Sequence, residues 1–272
     1  MLRYLEALPR DVSRPTGRPS GGPGGLNGTL VLIHGFPLSA RMWEPQLELA
    51  DRGWRVIAPY LRGFDGPPAA EVATSVDDYA GDVIDLVDAL HIEEAVIGGL
   101  SMGGYVTFAM FRHAARYFRG MILADTRAQA DTPEGIEGRK RMLQRLRDQG
   151  PAAVADEMVP KLLCDGTREH RPDIVDTIRR FVLSNSSDVI AGAITALMSR
   201  PDATPLLSSI HCPTLVLVGD QDALTPPALS EEIHRAIAGA ELAILPGAGH
   251  MSNMEQPALF NLALARFLEH RV

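Results

Sequence analysis

The stretch Ala95-Val96-Ile97-Gly98-Gly99-Leu100-Ser101-Met102-Gly103-Gly104-Tyr105 constrains this chain more than any other. It opens on an apolar, β-branched run with the composition of a fully buried strand. It closes on Tyr105-Val106-Thr107-Phe108-Ala109-Met110-Phe111, which reads as a buried helix. Between the two, Gly99-x-Ser101-x-Gly103 brackets a serine with residues that carry no side chain. A strand that becomes a helix with almost no loop forces its pivot into strained backbone, where bulky neighbours would clash. The arrangement leaves Ser101 Oγ exposed at the carboxyl edge of a sheet, beside a helix amino terminus whose dipole favours negative charge.

The rest of the chain repeats this strand-to-helix rhythm. Thr29-Leu30-Val31-Leu32-Ile33 is a buried strand running into His34-Gly35-Phe36-Pro37, and a helix over 40–51 stops at Gly53. Arg55-Val56-Ile57-Ala58-Pro59 is a further strand. Ser75-Val76-Asp77-Asp78 starts a helix, with serine as cap and acids in the first turn. Met121-Ile122-Leu123-Ala124 is another strand, closing on Asp125. Later come Pro213–Gly219, a helix near 228–238, the strand Leu242–Leu245, and a last helix with Phe260, Leu264, Phe267 and Leu268 on one face. Strands alternating with helices predict a mostly parallel sheet covered on both faces.

From about Asp131 to Arg200 the rhythm breaks. Amphipathic patterns such as Val154/Met158/Leu162 and Ile190/Ile194/Leu197/Met198 follow one another with no clear strand, punctuated by prolines. We read 127–206 as a helical cap inserted into a core formed by 1–126 and 207–272. No strand is legible before Thr29, and the Pro/Gly-rich segment 9–28 has loop composition.

Composition narrows the function. The net charge of −8 argues against a nucleic-acid groove or an anionic membrane surface as partner. No apolar run reaches bilayer-spanning length, and Met1–Pro9 lacks the apolar centre of a secretion signal. Cys164 and Cys212 are read as two free thiols, which fits a cytoplasmic location. No C-x-x-C, H-E-x-x-H or acidic calcium loop occurs, so neither a metal nor another cofactor is expected. Oligomeric state has no signature here.

A serine hydroxyl needs an adjacent base, and the base needs an orienting group. His250 follows a strand and the turn Pro246-Gly247-Ala248-Gly249, which should bring it to the edge that carries Ser101. His34 begins a loop and is read as a buried hydrogen-bonding strut. Three acids stand at strand ends. Asp222 is placed first, Asp125 second, and Asp220 is read as tying down backbone in its turn. An oxyanion needs two N–H donors, for which the backbone of Met102 and of Phe36 are the candidates.

These residues resemble the α/β-hydrolase superfamily. The resemblance rests on His34-Gly35-Phe36-Pro37, Gly99-Leu100-Ser101-Met102-Gly103-Gly104, Gly219-Asp220-Gln221-Asp222 and Gly249-His250, in the order Ser, Asp, His. It extends from about Gly28 to the carboxyl terminus. Ser-Met-Gly-Gly and Gly-His-Met-Ser-Asn-Met-Glu-Gln-Pro are similar to esterases, enol-lactonases and non-haem haloperoxidase relatives. The resemblance implies an α/β-hydrolase fold and a serine hydrolase that cleaves carboxylic esters or lactones, with water as second substrate. Perhydrolysis, C–C bond hydrolysis and acyl transfer could use the same triad, and a ligand-binding receptor is the alternative of a different class. Met142, Met158 and Met198, on the apolar faces of the insertion, are expected to line a mostly apolar pocket for short to medium acyl groups.

Overall fold

The structure, a computed structural model, describes residues 1–9, 26–66 and 71–272. Most of the segment read as a loop before Gly28 lies outside them. Seven strands form one sheet: β1 (Tyr4–Ala7), β2 (Gly28–Ile33), β3 (Trp54–Pro59), β4 (Ala95–Leu100), β5 (Phe118–Ala124), β6 (Thr214–Gly219) and β7 (Glu241–Leu245). Their spatial order is β1-β3-β2-β4-β5-β6-β7, parallel throughout except that β1 runs against β3.

Strand β1 corrects the expectation that no strand precedes Thr29. It is four residues long and pairs on one side only, with Tyr4 opposite Pro59 and Ala7 opposite Val56. A short, half-buried edge strand carries little hydrophobic periodicity.

Central strands read as continuous apolar runs because both faces are covered; every residue of β4 and β6 is buried. From β2 the chain steps outward to β3 and then returns past β2 to β4. Right-handed crossovers in opposite directions place their helices on opposite faces. One carries the helix Ala40–Arg52, the other carries α1 (Val76–Ala89) and α2 (Met102–Ala114). The segment Ala40–Arg52 is wound as a 3-10 helix, with Pro45 inside it. It ends at Gly53, whose φ of 88° is the left-handed conformation that glycine adopts without strain. α1 opens on the expected serine cap: Asp78 N–H donates to Ser75 Oγ at 3.0 Å, and Ser75 N–H donates back to the Asp78 carboxylate at 3.0 Å.

Between β5 and β6 five α-helices follow one another, α3 (Pro133–Gln149), α4 (Pro151–Leu162), α5 (Asp165–His170), α6 (Pro172–Leu183) and α7 (Ser187–Ser199), and then a 3-10 turn over Thr204–Ser209. After β6 come α8 (Pro227–Ala236), then β7, α9 (Ser252–Glu255) and α10 (Pro257–His270). Among the described residues no single helix is long and apolar enough to cross a membrane, and both cysteines are free. The chain reverses its direction across the sheet at β2, so the carboxyl ends of β2 and β4 flank a crevice. In open α/β sheets such a crevice is where ligands bind.

Candidate active site

Ser101 is the hinge between β4 and α2. Its backbone sits at φ 57°, ψ −113°, a conformation that costs a non-glycine residue roughly 1–3 kcal/mol. Two bonds to the neighbouring strand end hold it there. Ser101 N–H donates to Ala124 O at 3.0 Å, and Thr126 Oγ1 donates to Ser101 O at 2.9 Å. The flanking glycines are steric requirements. A Cβ on Gly99 would lie 2.4 Å from the Gly103 carbonyl carbon, and one on Gly103 would lie 2.1 Å from Ile33 O.

His250 reaches the same edge from the loop after β7. Two carboxylates fix that loop. Asp220 accepts from Gly247 N–H at 2.8 Å, which is the backbone-tying role read for it, and Glu255 accepts from Gly249 N–H at 2.8 Å. Glu255 also accepts from Cys164 N–H at 2.9 Å, joining the histidine loop to the helical segment. The His250 ring is buried, with Nδ1 2.8 Å from Asp222 Oδ2. Asp222 Oδ1 accepts from the N–H groups of Leu224 (2.8 Å) and Thr225 (2.9 Å), and Thr225 Oγ1 donates to Oδ2 at 2.7 Å. Burial pushes the Asp222 carboxyl up, but the His250 ring and these donors outweigh it and hold the group below its ordinary value.

Asp125, the second acid considered, makes no hydrogen bond to His250. It accepts from Gly219 N–H at 2.9 Å and bonds the Ser252 hydroxyl, fully buried beneath the site. Burial first, and the Asp222 charge second, raise its carboxyl well above the usual range.

The backbone N–H groups of Phe36 and Met102 donate to nothing else among the described residues, and both residues border the cavity that holds Ser101. His34 is the strut expected of it. Its Nε2 accepts from Leu61 N–H at 3.1 Å, which leaves Nδ1 to donate to Gly35 O at 3.0 Å. Burial lowers its pKa to about 4.

The cavity encloses about 650 Å³ and is bordered by Ser101 and His250 on the sheet side. Among the described residues the serine hydroxyl makes no hydrogen bond to the imidazole, and both border the same cavity. Helices α3, α4 and α7 supply most of the opposite wall, including Met142 and Met158. Met198 does not line it. Leu197 faces the cavity instead, because one residue along a helix turns the side chain by about 100°. The wall also carries Arg127, Arg139, Arg141, Arg145 and Lys161, which the sequence reading did not assign to it.

Sequence reading missed Thr225, Ser252 and Glu255. The first had a signal: in Asp222-Ala223-Leu224-Thr225 an aspartate can accept from the backbone two and three residues on. Ser252 and Glu255 had none, since their partners lie more than 90 residues away in sequence or act through a loop.

The fold has counterparts among known proteins. The model of a family described as alpha/beta hydrolase matches residues 30–263. A 3-oxoadipate enol-lactonase of Acinetobacter baylyi is 29% identical over 235 residues, covering 86% of each chain. Among solved structures, a thermophilic esterase from Thermogutta terrifontis superposes with a TM-score of 0.88 at 37% identity, covering 98% of this chain and 93% of its own. The enol-lactonase of Burkholderia xenovorans gives a TM-score of 0.86 at 28% identity, with 99% and 96% covered.

Proposed function

The chain belongs to the alpha/beta hydrolase family, and on that premise we propose that it cleaves carboxylic esters or lactones through an acyl-enzyme on Ser101. One observation carries the reading. The hydroxyl on a strained hinge, the imidazole held by Asp222 at 2.8 Å, and two unengaged N–H donors all meet in one cavity. Asp222 keeps the Nδ1 proton of His250, which leaves Nε2 free to take the proton of Ser101 as Oγ attacks the carbonyl. The Phe36 and Met102 N–H groups receive the negative charge that develops on the carbonyl oxygen. Nε2 then returns the proton to the leaving alkoxide, and a water activated the same way releases the acid. The helical segment 127–206 acts as a cap whose inner wall selects the acyl group. Similarity to an enol-lactonase and to an esterase supports esters and lactones as the substrate class.

A fluorophosphonate probe tests this directly. It should label Ser101, and Ser101→Ala should lose both labelling and ester turnover, the latter by ~10⁴-fold or more. Retained turnover in a folded Ala variant would remove the serine from the mechanism.

A further inference from the structure

The N–H of Phe36 belongs to the same trans peptide unit as the Gly35 carbonyl, so the two point in opposite directions. Gly35 O accepts twice, from His34 Nδ1 and from Leu38 N–H, each at 3.0 Å. Leu38 N–H in turn shares a peptide unit with the Pro37 carbonyl, and Pro37 O accepts from Asn185 Nδ2 at 2.9 Å. Asn185 Oδ1 accepts from Asp65 N–H at 2.8 Å. These bonds all run in one sense. They lead from Asp65 N–H through the Asn185 amide and two peptide units to the N–H of Phe36.

Asn185 stands in the turn between α6 and α7, 148 residues from Pro37, and is buried. Its second amide hydrogen goes to Phe181 O at 2.9 Å. The amide orientation is therefore fixed, since a flip would set NH2 against an N–H and oxygen against two carbonyls. Asn185 does not line the cavity, so it has no direct hold on a ligand there. Its effect must pass through the chain of peptides. In a dry interior each hydrogen bond polarises the next, strengthening it by ~10–30%. Dipoles already aimed at the place where negative charge develops need no reorganisation during the reaction.

We propose that Asn185 is a positioning residue for catalysis. Through this chain the inserted helices aim and polarise the Phe36 N–H, so oxyanion stabilisation depends on how α6 and α7 are seated over the sheet edge. The inference rests on Ser101 being the nucleophile and on Phe36 N–H receiving the oxyanion.

The test compares 1,1,1-trifluorooctan-2-one with octan-2-one as inhibitors. Ser101 Oγ bonds to the fluorinated ketone's carbonyl carbon, its proton passes to His250 Nε2, and the carbonyl π pair becomes an oxyanion. Octan-2-one occupies the same cavity as a neutral ketone. The ratio of their Ki values is read within each variant, so damage common to both ligands, and any loss of folded protein, cancels. In the native protein the fluorinated ketone should bind at least ~10²-fold more tightly. Outright loss of an oxyanion donor costs roughly 10²–10³-fold. Here the donor stays but is weakened, so Asn185→Leu should lower the ratio about ten-fold and kcat on methyl octanoate by a similar factor, with KM within two-fold. Asn185→Asp keeps the acceptor for Asp65 N–H but sets a charge against Pro37 O, and should lower the ratio further. Where Asn185→Leu fails to fold, Asn185→Ser decides by the same ratio. A ratio within two-fold of native would make Asn185 a brace only and overturn this inference, leaving the serine-hydrolase reading standing. Two ketones bound alike by the native protein would count against that reading, and this one with it.

Discussion

Replacing Asp222 by asparagine changes one atom that matters, and the structure says which. Oδ1 accepts from Leu224 N–H at 2.8 Å and Thr225 N–H at 2.9 Å, so the amide oxygen must stay on that side. Flipping the amide would set its NH2 against two buried N–H donors, costing about 1–3 kcal/mol for each group left unsatisfied. The NH2 therefore takes the place of Oδ2, 2.8 Å from His250 Nδ1. It donates there, Nδ1 has to accept, and the ring proton moves to Nε2, where it blocks transfer from Ser101. The imidazole keeps its position but holds the wrong tautomer. A misplaced tautomer of this kind costs roughly 10⁴-fold in kcat, or ~5.5 kcal/mol on the barrier. Steady-state hydrolysis of a neutral methyl ester reads the loss, with the thermal midpoint as a check on folding. Asp125→Asn is the matched control. Burial raises its carboxyl well above the usual range, and an amide can still accept from Gly219 N–H and bond Ser252, so activity should stay within about five-fold of native. The reasoning fails if Asp222→Asn retains more than about a tenth of native kcat, or if the Asp125 variant is the more damaged of the two.

Three further outcomes follow from the geometry. Met142→Ala and Met158→Ala should each shift the preferred acyl length upward in a methyl-ester series, whereas Met198→Ala, outside the cavity, should not move it. His34, whose buried ring has its pKa lowered to about 4, should make the fold weaker in acid. The unfolded chain protonates it from pH 6.5 downward while the native state resists, so its stability contribution is lost between those values. Urea unfolding should register a loss of roughly 2–3 kcal/mol between pH 7 and 4.5, which His34→Gln removes. Finally, Gly103→Ala should lower stability by several kcal/mol, because the new methyl meets the Ile33 carbonyl at 2.1 Å and neither partner is a flexible side chain. A thermal midpoint within about 2 °C of native would contradict that contact.

The fold was legible where local chemistry and burial agree. β2, β4 and β6 are covered on both faces, so they are written as unbroken apolar runs, and the Gly-x-Ser-x-Gly hinge encodes its own steric constraint. Ser101, His250 and Asp222 could be named because each follows a strand end, and strand ends share one edge of a parallel sheet. β1 was not legible, since a half-exposed edge strand of four residues has too little pattern to stand out. Choosing between Asp125 and Asp222 rested on one residue of loop length in the sequence, while the structure separates them by which group each carboxyl touches. The insertion was readable as helices but not as a wall. Met198 and Leu197 lie on one broad apolar stripe, and only the docking of α7 decides which of them faces the cavity. The cations escaped notice for a similar reason. On α3 and α4 they look like an ordinary solvated face, and become a lining only once those helices lie over the sheet edge.

Asp131 shows how that wall is kept in place. Its carboxylate is 2% exposed and takes Arg127, Arg139 and Arg200, the last at 2.8 Å. Arg200 is equally buried, lies over the Tyr105 ring at 4.2 Å, and donates to Leu197 O and Gln129 O. Asp131 stands where the chain enters the helical segment, Arg200 where it leaves, and Arg139 in α3, so one carboxylate ties all three. Burial opposes its charge, but Arg200 and Arg139 prevail and bring its pKa down to about 2. A depressed carboxyl stabilises the fold above its unfolded value near 3.8 and ceases to do so as pH falls through about 2, a contribution of ~2 kcal/mol. Asp131→Asn should cost more than that at neutral pH, because it strands the buried Arg200 without a counter-charge, at roughly 3–5 kcal/mol. Arg200→Met in the same chain should restore part of the loss. A thermal midpoint unchanged in Asp131→Asn, or a loss that Arg200→Met does not relieve at all, would contradict this account.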